Sequence, residues 1–174
     1  GNPLFPDEQK RLIAGTVGVK LPVAPRRRDA SGTPLPVEAQ AGTGSLDPLL
    51  GLSYAFFARP WSLYVSLQGT MPAIGRSDYR ASPSLRTTTA LQYQFVPAFA
   101  LRGGIDGRFD GKAREAGAPD RDSGGAVGYG TLEVLVTPAT DLVFIASARV
   151  PALQALQGFH REGPMLGLAV AYDF

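Results

Sequence analysis

The sequence predicts an all-β protein, namely a transmembrane antiparallel up-and-down β-barrel of a bacterial outer membrane. Three observations lead to this fold class. Eight segments alternate apolar and polar residues with a period of two, which is the pattern of strands with one apolar and one polar face. The connections between these segments alternate in length, and the last segment ends on an aromatic residue, Phe174. Amphipathic strands joined alternately by short and long connections are typical of outer-membrane barrels.

The composition excludes several other classes. Of the 174 residues 44% are hydrophobic, and Gly, Ser, Thr, Arg or Pro interrupts every apolar run within a few positions. A membrane helix needs about 18 consecutive apolar residues, so helical spans are excluded, whereas a transmembrane strand needs only roughly 9–11 alternating residues. The lack of cysteine excludes disulfides and thiolate metal sites. A net charge of only +2 with scattered basic residues argues against nucleic-acid binding.

The predicted strands are recognised by their alternation. In the clearest of them, the third, Trp61, Leu63 and Val65 fall on one face. Ser62 and Tyr64 fall on the other. The predicted strands cover residues 12–21, 49–57, 61–71, 88–95, 99–110, 127–136, 142–150 and 165–174.

The two faces of these strands differ in size and charge. One face carries the large aliphatic and aromatic side chains, and the other is rich in Gly, Ala, Ser and Thr. A soluble eight-stranded barrel has the opposite arrangement, because large apolar side chains fill its interior. We therefore expect the large apolar residues to face lipid and the polar face to line a lumen. The charged residues expected in this lumen are Lys20, Arg102, Asp106, Arg108, Asp110, Glu133 and Arg149.

The connections and the aromatic residues indicate how the barrel is oriented. Short connections are predicted at 58–60, 96–98 and 138–140, and long polar ones at 24–45, 72–85, 111–125 and 151–163. Short turns belong on the periplasmic side and long loops outside. Aromatic residues gather at the strand ends beside the short turns, where rings favour the headgroup boundary. The expected aromatic girdle consists of Phe56, Trp61, Tyr93, Phe95 and Phe99.

The last predicted strand resembles the C-terminal signal that outer-membrane barrels present to the barrel-assembly machinery. An exposed strand with unpaired backbone groups is a template for adding another strand, which gives such a signal its physical basis. We therefore expect the assembly machinery as a partner during biogenesis, and outer-membrane lipid and lipopolysaccharide afterwards. The residues expected to form the signal are Leu166, Leu168, Val170, Tyr172 and Phe174.

Two further stretches resemble a known family. Gly18-Val-Lys-Leu-Pro22 and Gln40-Ala-Gly-Thr-Gly-Ser-Leu-Asp-Pro-Leu-Leu-Gly-Leu-Ser-Tyr54 resemble segments of the outer-membrane transporters of the meta-pathway of phenol degradation. The resemblance extends loosely over residues 12–174. It implies a barrel that transports small solutes, with apolar or aromatic ones suggested by the name of the family alone.

The extent of the barrel is left open by the sequence. The resemblance implies longer chains with further strands before residue 12, whereas only a polar segment, residues 1–11, precedes it here. Residues 12–174 are therefore expected to form either an eight-stranded barrel or the C-terminal part of a larger one, for example of twelve strands. The segment 1–11, which shows no secretory signal, is either a periplasmic tail or folded into the lumen.

Other candidate motifs are weak. The glycine-rich stretch at 42–47 lacks the Lys and the following helix of a phosphate-binding loop. Asp120 and Asp122 have the spacing of a calcium loop, but no later Glu completes it. His160, the only histidine, has no recognisable serine neighbourhood. We expect no catalytic residues, no metal site and no cofactor.

The function expected from these patterns is a passive channel or transporter for small solutes in the cell outer membrane. A non-conducting barrel that presents its external loops or packs against other envelope proteins is the first alternative. A lipid-modifying outer-membrane enzyme is the second.

Overall fold

Eight strands of the computed structural model form one antiparallel sheet, and their order in the sheet follows their order in the chain. The structure describes residues 9–35, 39–75, 78–158 and 161–173. The strands of the sheet are β1 (Lys10–Lys20), β2 (Asp47–Ala58), β3 (Trp61–Thr70), β4 (Ser84–Val96), β5 (Phe99–Asp110), β8 (Gly125–Ala139), β9 (Leu142–Leu156) and β10 (Met165–Tyr172). The short strands β6 (Arg114–Glu115) and β7 (Ala118–Pro119) form a separate hairpin between β5 and β8. The prediction of an all-β antiparallel arrangement with eight strands is confirmed.

The sheet is open. Its two edges are β1 and β10, and no ladder joins these strands among the described residues. Closure of the sheet into a transmembrane barrel therefore stays a prediction. No helix in the described ranges is long and apolar enough to cross a membrane.

Several strands are longer than predicted. β1 begins at Lys10 and so includes the last two residues of the predicted N-terminal segment 1–11. The predicted connection 151–163 is wrong in its first part, because β9 continues to Leu156. Pro151 lies where the ladder with β8 changes register. A proline lacks an amide hydrogen and is tolerated in a sheet at such an irregularity, which explains why its position resembled a strand end.

Two-residue turns join three pairs of strands, at 59–60, 97–98 and 140–141. The first two turns lie within the predicted short connections. The third is displaced, because β8 continues to Ala139 with an irregular register after Val136. The connections at the opposite end of the sheet are long, as the alternation of connection lengths predicts.

Burial in this sheet is inverted relative to a water-soluble protein. Gln92, Ser62 and Asp47 have exposed fractions of only 1%, 3% and 2%, whereas those of Leu168 and Val17 are 90% and 84%. The buried apolar residues of the described chain are Ala90, Ala100, Ala113, Val127 and Tyr129. Large apolar side chains are therefore largely outside, and polar ones are sheltered.

The sheltered side chains lie on one face of the sheet, which we call the inner face, and the exposed apolar ones on the opposite, outer face. Directly paired residues point to the same side of a sheet. Ser66 pairs with Ser53 and Thr88 on the inner face, and Leu67 pairs with Leu52 on the outer face. A flat sheet would expose both faces equally, so the burial of the polar side chains indicates that the sheet curls around its inner face.

Candidate functional site

The charged residues predicted to line a lumen all lie on the inner face. The strand registers place them on the same face of the sheet as the buried residue Gln92. Each of them takes part in an ion pair. The pairs are Lys20 with Asp47, Arg102 with Glu133, Arg108 with Asp110, and Arg149 with Asp106. The structure thus brings together the predicted residues, whereas their role as a lumen lining stays a prediction.

Arg102 is the centre of the most extensive polar cluster. Its Nη1 donates to Oε2 of Glu133 at 2.8 Å, and its Nε and Nη2 donate to Oε1 of Gln92 at 3.0 and 2.7 Å. Its guanidinium also lies over the ring of Tyr64, 4.8 Å from the ring centroid. This cluster connects β3, β4, β5 and β8 across the middle of the inner face.

A second cluster lies nearer the end with the long connections. Nε of Arg108 donates to Asp110 at 2.8 Å, and Nη2 donates to Glu162 at 2.8 Å. Glu162 belongs to the connection between β9 and β10, and its backbone exchanges hydrogen bonds of 2.9 and 3.1 Å with the side chain of Gln154. These contacts hold that connection against the inner face. Sequence reasoning missed Glu162, because nothing in a loop sequence indicates such a contact.

Arg149 and Asp106 form a third cluster across β8. Arg149 donates to Oδ2 of Asp106 through Nε and Nη2, and its guanidinium lies 4.8 Å from the ring centroid of Tyr129. Tyr129 belongs to the intervening strand and has an exposed fraction of 4%. The guanidinium of Arg149 therefore lies over a buried ring, and Asp106 already has a cationic partner.

Beside these clusters the inner face borders a partly open polar cavity of about 260 Å³. Its walls come from β3, β4, β5, β8 and β9. Side chains that line it include Ser66, Gln68, Arg86, Thr88, Asp106 and Arg149. Sequence reasoning missed Arg86, because the predicted fourth strand began only at residue 88. The true strand begins at Ser84, and the same alternation extended to it places Arg86 on the polar face.

A second cavity, of about 320 Å³, is largely apolar. It lies between β1, β2, β3 and β4, and Leu12, Ala55, Phe57 and Tyr64 are among its lining residues. The rings of Phe57 and Tyr64 meet edge to face with centroids 5.7 Å apart. The inner face is therefore not uniformly polar, and its apolar part is adjacent to the open edge formed by β1.

The predicted aromatic girdle forms a row on the outer face beside the short turns. Ring centroids are 4.7 Å apart for Trp61 and Tyr93, 4.7 Å for Tyr93 and Phe95, and 5.6 Å for Phe95 and Phe99. Phe56 lies at the same end of β2, with the guanidinium of Arg11 5.7 Å from its ring centroid. The clustering is present as predicted, but contact of these rings with headgroups stays a prediction.

The predicted assembly signal is an edge strand. Leu166, Leu168, Val170 and Tyr172 project from one side of β10, and all four side chains are exposed. Among the described residues β10 forms a ladder with β9 alone, so β10 is an edge strand of the sheet. Phe174 lies outside the described residues. Recognition by an assembly machinery stays a prediction.

The long connections carry local turns. In the connection between β1 and β2, Oδ1 of Asp29 accepts hydrogen bonds from Ser31 and Thr33, at distances between 2.6 and 2.9 Å, and these bonds lower the pKa of its carboxyl. Within the described ranges no group of three or more His, Asp or Glu side chains is arranged to hold a metal ion. His160, singled out in the sequence, lies outside the described residues.

Comparisons with known proteins add no family to this description. No protein-family model matches the chain, and no curated protein matches it either. The resemblance to the transporters of the phenol meta-pathway stays a prediction.

Proposed function

We propose that this chain is an outer-membrane β-barrel protein that provides a passive path for small solutes. The inverted burial of the sheet carries the proposal. Large apolar side chains cover the outer face, and ion-paired side chains occupy the sheltered inner face. A membrane barrel with a wet interior needs this distribution, whereas a soluble protein with a dry core needs the reverse.

The energetics of the outer face support a lipid environment. Leaving a Leu, Ile, Val or Phe side chain in water instead of an apolar medium costs about 1.5–3 kcal/mol. Ile13, Leu50, Ile105, Leu166 and Leu168 have exposed fractions between 64% and 90%. Contiguous apolar surface on this scale marks contact with a membrane or with another protein. Contact with lipid would explain the exposed apolar side chains of all eight strands together, since every strand contributes such side chains to the outer face.

The way in which the sheet closes decides whether solutes pass. An eight-stranded barrel has an interior just wide enough to be filled by side chains, and a barrel with more strands leaves an aqueous path. Both edge strands, β1 and β10, have most of their residues exposed. Additional strands at these edges would complete a wider barrel with the polar cavity on its inner surface.

A non-conducting barrel is the second candidate, and the cluster around Arg102 favours it. Tyr64, Gln92 and Glu133 converge on this residue from three other strands and occupy the middle of the inner face. In a barrel of eight strands such a cluster would act as a plug. The protein would then present its long external loops or pack against other envelope proteins.

Single-channel conductance of the refolded protein in a planar bilayer distinguishes the two candidates. Discrete and stable current steps are the result expected for the solute path. Insertion without current, verified by protease protection of the strands in vesicles, would favour the plugged barrel. A chain that stays monodisperse in water and does not insert at all would overturn both.

A further inference from the structure

Arg86 lies on the inner face, and no carboxylate of a described residue pairs with it. The ladder between β4 and β5 places it directly opposite Arg108. Like charges at directly opposed positions destabilise a sheet. The charge of Arg108 is balanced by Asp110 and Glu162. In the part of the chain that the structure describes, no carboxylate lies within ion-pair distance of Arg86.

On the lining of the polar cavity beside Arg86, arginines outnumber carboxylates, because Asp110 and Glu162, which pair with Arg108, lie outside the lining. Its lining contains three arginines, Arg86, Arg108 and Arg149, and one carboxylate, Asp106, which Arg149 already engages. Neutral donors lie on the same wall, at Ser66, Gln68 and Thr88. These groups can hydrogen-bond an anion without adding charge.

The volume of the cavity limits the size of a ligand, and the number of unpaired arginines limits its charge. A water molecule occupies about 30 Å³ in the liquid, so a cavity of about 260 Å³ has room for a small organic molecule as well as its charged group. Among the described residues, Arg86 is the arginine of this lining that pairs with no carboxylate, and a doubly charged anion would need a second such arginine. The planar guanidinium fork matches the geometry of a carboxylate.

We propose that this cavity binds a small organic monocarboxylate, with Arg86 contacting the carboxylate group. The inference rests on the proposed function, because in a solute-conducting barrel this cavity would be a binding site along the solute path. Binding at such a site is weak enough for release, since an ion that binds too tightly does not pass. The site gives the path a preference for anions that the paired charges alone do not supply.

Equilibrium dialysis of labelled butanoate against the full chain, refolded in zwitterionic micelles, tests the site directly. Butanamide is the matched neutral ligand, because it has nearly the same shape without the charge. We expect butanoate to bind at least about tenfold more tightly than butanamide. Arg86→Gln should weaken butanoate binding by about tenfold or more, and Arg86→Lys by less, because lysine keeps the charge and loses the fork.

Arg26→Gln is the control variant, since it removes the same charge from an exposed loop residue outside the cavity. Equal binding of butanoate and butanamide, or unchanged binding in Arg86→Gln, overturns the inference, and the first of these comparisons needs no variant to fold. Conductance is measured on the same preparation. A conducting protein without butanoate preference leaves the proposed function intact and removes the site. A silent protein that binds butanoate through Arg86 keeps the site and removes the transport path.

Discussion

Single residues on the inner face depend on their partners. Arg102 and Glu133 have side-chain exposed fractions of 26% and 29%, so their ion pair is partly withdrawn from water. Removing one member of such a pair leaves the other charge without compensation. Bulk solvent still reaches both groups, which reduces the effect below that in a dry core.

Glu133→Gln should therefore destabilise the folded protein by about 1–2 kcal/mol. The measurement is urea unfolding from lipid vesicles, followed by the fluorescence of the single tryptophan, Trp61. Glu115→Gln, in the exposed hairpin of β6 and β7, is the control and should change stability by less than about 0.5 kcal/mol. Equal effects of the two substitutions would contradict a structural role for the pair.

Two adjacent glycines in β5 provide a second test at this scale. A Cβ atom at Gly104 would lie 2.7 Å from the carbonyl oxygen of Thr89 and 2.9 Å from Oγ1 of Thr131. At Gly103, on the outer face, no atom lies within 4 Å. Gly104→Ala should cost about 1–3 kcal/mol, because the backbone of β4 has to shift. Gly103→Ala should be neutral or slightly stabilising, since alanine restricts the unfolded chain. The same unfolding assay decides, and a reversed order would refute the packing of β4 on β5.

Successive residues of a strand lie on opposite faces of the sheet, so the cost of introducing a charge should differ between neighbouring positions. Val65 and Ser66 are neighbours in the middle of β3, on the outer and the inner face respectively. In lipid, Val65→Arg should cost about 2–4 kcal/mol, because an arginine near the bilayer midplane is poorly solvated. Ser66→Arg should be tolerated, because it points to the polar interior. Unfolding from vesicles gives both values, and equal costs would refute the assignment of faces.

The strands and their faces could be predicted from the sequence because a period of two is a local signal. All eight predicted strands exist, and the seven predicted charged residues share one face. Asp47 and Arg86 were missed for a local reason, since the predicted second and fourth strands began two and four residues too late. Glu162 was missed for a different reason. Its contact with Arg108 is made by a loop, and hydrophobic periodicity carries no information about where a loop folds back.

At the scale of the molecule, the exposed surface is large for the mass. A folded soluble monomer of 18.4 kDa exposes roughly 8,200 Å². This chain exposes 11648 Å². Among the described residues, no second layer covers the outer face of the sheet, and only five apolar residues are buried. We expect the surroundings of the sheet to contribute much of its stability.

We therefore expect folding to require an amphiphile. Diluted from denaturant into buffer alone, the chain should aggregate, whereas dilution into micelles or thin vesicles should give a monodisperse species with a β-sheet circular dichroism spectrum. The outer face then replaces water contacts with contacts to acyl chains. A monomeric and cooperatively folded protein in buffer without amphiphile would rule out this account of the outer face.

The alternation of apolar and polar residues along each strand affects how the unfolded chain would be recognised before it folds. Its mean hydropathy is +0.00, and along each strand of the sheet residues of the apolar outer face alternate with residues of the polar inner face. An apparatus that reads continuous apolar runs of about 18 residues encounters none in this chain. The continuous apolar outer face does not exist in the extended chain. It forms only when neighbouring strands pair. If the proposed location in an outer membrane holds, the extended chain can cross an aqueous compartment before folding, and only the folded sheet has a continuous apolar face for lipid.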